Sequence, residues 1–290
     1  MKKAFLILLS LVLIICSSLV ISQMAKSNEV QYQKNDIKSK DKVKDYNKFL
    51  SSLSSDNPES IIIATDKYFQ LFSLKDNLEE RDRAFLLFQK KYEKIIETLQ
   101  DNLGGSTIGL NAYVFDKIKE DEYKINEKRL TEKELYYKKY GIKLNYIYKA
   151  YLPDVDYNYL IKEFNSFISP SMNEYLVFCL KESNKQIIDE GEVLVNWDEL
   201  RNRLLYLEAF IKNNPKFAGK EDVQIHLDNY ANYYMGSSLY GDGNKIKTDA
   251  KQSFERFIKL NKNSKYYIQV LKQYNLLKKY NFDIQKYYNQ

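Results

Sequence analysis

Glu208-Ala209-Phe210-Ile211-Lys212-Asn213-Asn214 returns further along the chain as Glu255-Arg256-Phe257-Ile258-Lys259-Leu260-Asn261. The identities Glu208/Glu255, Phe210/Phe257, Ile211/Ile258, Lys212/Lys259 and Asn214/Asn261 decide the fold. The offset from 208 to 255 is 47 residues, within the range of helical units that stack as antiparallel pairs. Upstream of the first copy, Trp197, Leu200, Leu204, Leu207 and Ile211 step by three and four, which places them on one stripe of a helix. Asn214-Pro215 closes that helix, because a residue before proline disfavours the helical region. A partner helix over about 219–235 carries Val223, Leu227, Tyr230 and Tyr234. The second copy repeats the plan, with Phe254, Phe257 and Ile258, then Tyr267, Leu271, Tyr274 and Leu277. Phe164-Asn165-Ser166-Phe167-Ile168 shares the Phe-Ile core 43 residues before the first copy and reads as a decayed third unit. A helix pair of this kind buries little alone and needs its neighbour. The repeat tyrosines are accordingly expected to line the seams, with their hydroxyls at the wet edge.

Composition agrees with a mainly α fold. Apolar residues make up 44 % of the 290, enough for a core. With only 9 Gly and 4 Pro, the chain lacks the closely spaced turn residues of an all-β protein. Its two cysteines cannot build a disulfide framework: Cys16 falls in an apolar leader, and Cys179, within Leu176-Val177-Phe178-Cys179-Leu180, reads as a small buried apolar residue.

The leader begins with Lys2 and Lys3, followed by 19 uncharged residues from Ala4 to Ser22. This length fits either a cleavable export signal or a membrane anchor. Cleavage would follow Ser22 or Ala25. Lipid attachment at Cys16 is a third fate, since Leu13-Ile14-Ile15-Cys16 resembles the lipoprotein box in its first two positions. The lysines ahead of the run put the rest of the chain outside the cytoplasm in each case. Residues 1–25 are thus read as signal or anchor and 26–56 as a polar, disordered tether.

Order is expected from Asn57-Pro58-Glu59, where a capping Asn, a Pro at the first helical position and an early Glu announce a helix. Its stripe reads Ile62, Thr65 or Asp66, Phe69 and Phe72 or Ser73. A second helix over 78–103 carries Phe85, Phe88, Tyr92, Ile95, Ile96 and Leu99 and stops at Gly104-Gly105. The helical period then fails. Residues 117–139 read as charged and partly helical, and Ile142, Leu144, Tyr146 and Tyr148 alternate like a strand that pairs ahead of Leu152-Pro153. The hairpin and this irregular segment make one region, 57–153, and the repeats a second, 154–290.

Leu207-x-x-Phe210-Ile211-x-x-x-Pro215 followed by a Tyr-rich helix resembles the tetratricopeptide-like units of bacterial envelope proteins, over roughly Trp197 to Phe282. The whole arrangement is similar to exported helical proteins of low-GC Gram-positive bacteria. That resemblance implies protein binding or scaffolding and supplies no catalytic positions.

Chemistry-bearing motifs are sparse. Asp154 and Asp156 precede a helix and read as caps. Gly241-Asp242-Gly243-Asn244 lacks the ligand series of a calcium loop. One histidine, His226, leaves little for a soft-metal site, and no cofactor is expected. Charge is more telling. From Lys245 onward basic residues outnumber acidic ones by eleven to three, so this stretch carries +8 in a chain of net +6. Either these lysines form a solvated face balanced by Asp189, Glu190 and Glu192, or they attract an anionic partner. The candidate binding residues are Lys272, Lys278, Lys279, Tyr267, Tyr274 and Arg256. The expected partner is an envelope protein or an anionic envelope polymer, with the membrane reached through residues 4–22 if uncleaved. Nucleic acid is not expected outside the cytoplasm. The competing class is a hydrolase of cell-wall or extracellular polymer that uses carboxylates of 104–153.

Overall fold

The computed structural model describes residues 42–103, 109–120, 122–147, 149–189, 192–236, 239, 244–283 and 285–286. The signal or anchor, Cys16, the tether before residue 42, Gly104-Gly105 and the Glu190-Gly191 turn lie outside them. The chain divides into two compact units, Met1–Val155 and Asp156–Gln290, and the architecture is mainly α with three two-stranded antiparallel sheets among the described residues. No helix among those residues is long and apolar enough to cross a membrane.

The first described element of unit one is a helix within the stretch expected to be a tether. Residues 42–52 form α1, and Tyr46 and Leu50 lie in the core. Val43, Tyr46, Leu50 and Leu53 hold the helical period, but intervening lysines and serines dilute it. The Tyr46 hydroxyl donates to the carbonyl of Ala64 (2.9 Å) in α2, Glu59–Leu71. Asn57 accepts from the Glu59 amide (3.0 Å), which is the cap its position predicted. The buried stripe of α2 is Ile61, Ala64, Thr65, Tyr68 and Phe72, one residue ahead of the Ile62/Phe69 reading. Tyr68 decides the register, because its ring packs against Tyr46 and Phe72 while its hydroxyl reaches the Arg81 carbonyl (3.1 Å). Helix α3 spans Leu78–Leu103 and buries Phe85, Phe88, Tyr92, Ile95, Ile96 and Leu99 as expected.

Beyond α3 the expected mixture of helix and strand is resolved. A short α4, Leu110–Val114, leads into the hairpin β1, Phe115–Lys119, and β2, Glu122–Ile125. The charged segment from Lys117 is therefore strand before it becomes helix α5, Glu127–Lys138, capped by the Asn126 side chain. Gly141 then turns the chain at φ 74°, a conformation that suits glycine, and its carbonyl accepts from the Tyr92 hydroxyl. The second hairpin pairs β3, Ile142–Ile147, with β4, Ala150–Val155. This hairpin packs on α3. Asn111, fully buried, holds the edge of β4: its amide donates to the Tyr151 carbonyl (3.3 Å) and its oxygen accepts from the Tyr151 N–H (2.8 Å). One side chain thus replaces a missing strand.

Unit two is a run of helix pairs. Helices α6, Tyr157–Phe164, and α7, Pro170–Asn184, form the first, with Asp156 and Ser169 as N-caps. A minimal pair, β5 (Ile188–Asp189) and β6 (Glu192–Val193), leads to α8, Trp197–Asn213. Then follow α9, Lys220–Met235, α10, Thr248–Leu260, and α11, Tyr267–Lys279. The 47-residue echo is structural: α8 and α10 end at 213 and 260, and α9 and α11 begin at 220 and 267. The turns match bond for bond. Asn214 N–H donates to Phe210 O (2.9 Å) and Asn261 to Phe257 (2.8 Å); Phe217 donates to Asn214 (3.0 Å) and Ser264 to Asn261 (3.0 Å); Lys220 donates to Phe217 (3.2 Å) and Tyr267 to Ser264 (3.1 Å). In both copies the phenylalanine is buried and the following isoleucine only partly so, which makes Phe210 rather than Ile211 the last residue of the α8 stripe. The third unit is a helix pair too, but not in the 43-residue register: Phe164 and Ile168 are buried and Phe167 is not, since Pro170 already starts α7 where the repeat would still be in its first helix.

Replacing Asn111 by Ala leaves the N–H and carbonyl of Tyr151 without their partner inside unit one, which costs about 2–4 kcal/mol. Urea unfolding of the variant should show a midpoint shift of that size.

Candidate interaction site on the terminal hairpin

Three tyrosines of the repeats are spent on the seams between helix pairs. On α9, Tyr230 donates to Glu182 of α7, and the Tyr234 hydroxyl pairs with Ser253 of α10 (3.0 Å). Tyr266, ahead of α11, points its hydroxyl at Asp228 of α9 (3.4 Å). Each hydroxyl reaches the neighbouring pair, and burial pushes all three phenols above their ordinary value of 10. These rings are structural pins, not an open aromatic surface.

Beneath the first seam lies a polar cluster that the sequence did not suggest. Arg203 of α8 is 2 % exposed. Its guanidinium donates from Nη1 to Glu182 and to the Lys185 carbonyl (3.0 Å), and from Nε to Glu199 (2.9 Å). Glu182 therefore joins Arg203 to Tyr230. The hydrogen bond from Arg203 holds the Glu199 carboxyl below its ordinary 4.5 against the opposing effect of burial, with further help from Lys181. His226 stands edge-on to Phe178 (6.3 Å between centroids), and burial lowers its pKa below 6.5 despite the opposing charges of Glu182 and Asp222. Cys179 is buried, as read from its apolar context. The register of Arg203 is the missed signal: it lies on the Leu200–Leu204–Leu207 side of α8, at the position that Ala250 takes 47 residues later.

The predicted binding residues separate into two groups. Arg256 is engaged: it pairs with Asp198 (2.6 Å) and so ties α10 to the start of α8. There burial raises the Asp198 carboxyl, but bonds from Arg256 and Ser253 outweigh it and hold the group below 3.8. Tyr274 donates to Glu255 (2.9 Å) and packs on Phe282, while Tyr267 is half-buried at the start of α11. The buried line of α11 is Tyr266, Val270 and Leu277, one residue ahead of the Tyr267–Leu271 reading. Lys272, Lys278 and Lys279 are exposed, and none has an ion-pair partner among the described residues. Lys279 lies over the Tyr280 ring (5.1 Å). No protein-family model, curated protein or solved structure matches this chain.

Some of the charge is balanced as a solvated face would be, with Lys247 near Glu192 (3.8 Å) and Lys286 near Asp283 (3.9 Å). The carboxylates of the hairpin are also occupied. Asp249 accepts the Trp197 N–H (3.0 Å), and Glu255 takes Tyr274. Glu208 of α8 reaches into the α10–α11 turn and accepts from Ser264 Oγ (2.7 Å) and the Lys265 N–H (2.5 Å). Lys259, Lys262 and Lys265 around that turn are exposed and, like the lysines of α11, form no ion pair among the described residues. Between Glu255 and Asp283 the sequence has no acidic residue at all, which was the readable clue to this set.

Within 104–153, Asp116 pairs with Arg129 and accepts from Asn126 (3.0 Å), Glu122 lies near Lys119 (3.4 Å), and Glu132 of α5 accepts from Tyr113 (2.8 Å). Asp154, just beyond that segment, accepts from Asn145 (2.6 Å) beside Lys143. Among the described residues, no three His, Cys, Asp or Glu side chains gather as a metal site.

Two outcomes distinguish buried from exposed charge here. Arg203→Ala removes a buried guanidinium from the half-buried Glu182 and Glu199 and should cost about 1–3 kcal/mol in urea unfolding, whereas Arg256→Ala, at a pair open to water, should cost less than about 1 kcal/mol. The pH dependence follows from His226. Its folded pKa is depressed, so the unfolded chain binds the proton first and stability falls as pH drops below 6.5 towards the folded value. Asp198 and Glu199 act lower: their stabilisation is present above 3.8 and 4.5 and is lost as pH falls through their depressed values. Unfolding titrations from about pH 7 to 5 should slope downwards with acid and flatten in His226→Gln.

Proposed function

We propose that this chain is an exported helical-repeat scaffold of a bacterial envelope, retained at the membrane if its leader is not removed, which holds an envelope protein or anionic envelope polymer against the flank of α11. The observation that carries this reading is the imbalance on the last hairpin. Lys272, Lys278 and Lys279 stand exposed without ion pairs among the described residues, while Asp249 and Glu255 are spent on internal donors. Lys272 and Lys279 are two helical turns apart on one side of α11, about 10 Å along its axis. Fixed positive charge with no internal partner concentrates anions at that flank and speeds their encounter. The resemblance to tetratricopeptide-like envelope proteins points to the same class of work.

The triple variant Lys272→Glu/Lys278→Glu/Lys279→Glu tests this in the full chain. Its retention by native envelope material should weaken by roughly an order of magnitude at low salt, and the difference from the parent should shrink as salt screens the charges. Retention equal to that of the parent at every salt concentration would remove the charge-based reading.

A further inference from the structure

The two most exposed large apolar residues described in the chain flank one turn. Leu260, the last residue of α10, is 67 % exposed, and Ile268, in the first turn of α11, is 69 % exposed. The fold does not require them: the matching positions of the first copy, 47 residues earlier, are Asn213 and Glu221. Around them stand Lys259, Lys262 and Lys265, exposed and unpaired with any described anion. Lys262 and Lys265 replace Pro215 and Ala218, which are already solvent-facing in the first copy. The carboxylates that approach this turn are Glu208 and Asp228. Glu208 has both oxygens occupied by Ser264 and Lys265, and Asp228 accepts from Gln224 (2.7 Å) and Tyr266.

The exposed isoleucine of α9 has a different setting. Ile225 of α9 is 59 % exposed, but Glu221 and Asp228 lie one turn to either side of it. A scattered apolar residue among acids is ordinary surface. An apolar pair ringed by lysines with no free carboxylate has the composition of a surface that enters the headgroup layer of an anionic membrane: the apolar tips reach the acyl boundary while the ammonium groups meet lipid phosphates.

We infer that the α10–α11 turn is a membrane-docking tip, in which Leu260 and Ile268 insert at the surface of an anionic bilayer and Lys259, Lys262 and Lys265 bind its headgroups. It uses the turn, whereas the polymer reading uses the flank of α11, so each can fail without the other. The turn is already hydrogen-bonded before it binds. Its bonds Ser264 to Asn261 and Tyr267 to Ser264 are those of the first copy, and Glu208 clamps it from the neighbouring pair. Docking therefore costs little ordering of the backbone.

The test uses the full chain with Ile268→Trp as reporter and vesicles of phosphatidylcholine with or without phosphatidylglycerol, their acyl chains brominated to quench indole emission. Trp197 is buried and supplies a baseline in the parent chain. The new indole should be quenched in phosphatidylglycerol vesicles and not in pure phosphatidylcholine. Lys262→Gln and Lys265→Gln should each weaken that binding roughly fivefold. In the chain without the reporter, Leu260→Ser/Ile268→Ser should lower vesicle affinity by roughly tenfold or more and leave binding to soluble polyglutamate unchanged. An unquenched indole in a chain that floats with the vesicles overturns the inference, because the tip then stays in water. So does an unchanged vesicle affinity in the double serine variant, which would leave a purely electrostatic surface.

Discussion

Tyr234 is the point through which the two copies of the repeat meet. Its backbone carbonyl accepts the indole N–H of Trp197 (3.1 Å), its hydroxyl pairs with Ser253, and its ring packs against Phe254 (5.0 Å) and Phe257 (5.8 Å). A helix pair with one apolar face cannot bury that face alone. The seam solves this with a residue whose body is apolar and whose ends are polar, so close packing leaves neither the indole nor the phenol unpaired. Asp249 capping the Trp197 N–H and Arg256 pairing with Asp198 then fix how the second pair sits on the first. At the other end Glu208 crosses to the next turn. Its counterpart Glu255 takes Tyr274 from its own pair.

That difference is a general one. Where the first copy spends Trp197 and Tyr234 on its successor, the second has Asn244 and Asn281, and the buried Ala231 becomes exposed Lys278. The segment after α11 folds back over the vacated side. The Phe282 carbonyl accepts the Ile246 N–H (3.0 Å), its ring packs tilted on Tyr274 (5.5 Å) and lies under Lys251 (4.4 Å), and Lys245 reaches the Asn281 carbonyl (3.1 Å).

The legibility of the chain followed from how far each signal was local. The echo predicted the helix ends and turns of the repeats because the Asn-closed turn is made by backbone bonds within a few residues. Helix α3 was readable for the same reason, through a long unbroken period. Helix α1 was not, because only Val43, Tyr46, Leu50 and Leu53 carry its period and lysines and serines fill the rest. The α2 stripe was misplaced by one residue because Phe69 is as apolar as Tyr68, and only contacts with Tyr46 and the Arg81 carbonyl choose between them. Asn111 and Arg203 were invisible as functional positions, since a polar residue in a helix says nothing of the distant strand or carboxylate that satisfies it.

The same comparison of copies separates the lysines of the last hairpin by cause. Lys278 stands, exposed, where the first copy buries Ala231. Lys259 is shared with Lys212 and marks the repeat. Lys262, Lys265 and Lys272 are different, because Pro215, Ala218 and Ile225 already face solvent at the matching positions and the first copy folds without charge there. Leu260 and Ile268 go further, since they put apolar side chains where the first copy has the polar Asn213 and Glu221. The residues that depart from the template without a folding reason gather at the turn and the adjoining flank of α11, and a surface built by departures of that kind answers to something outside the fold.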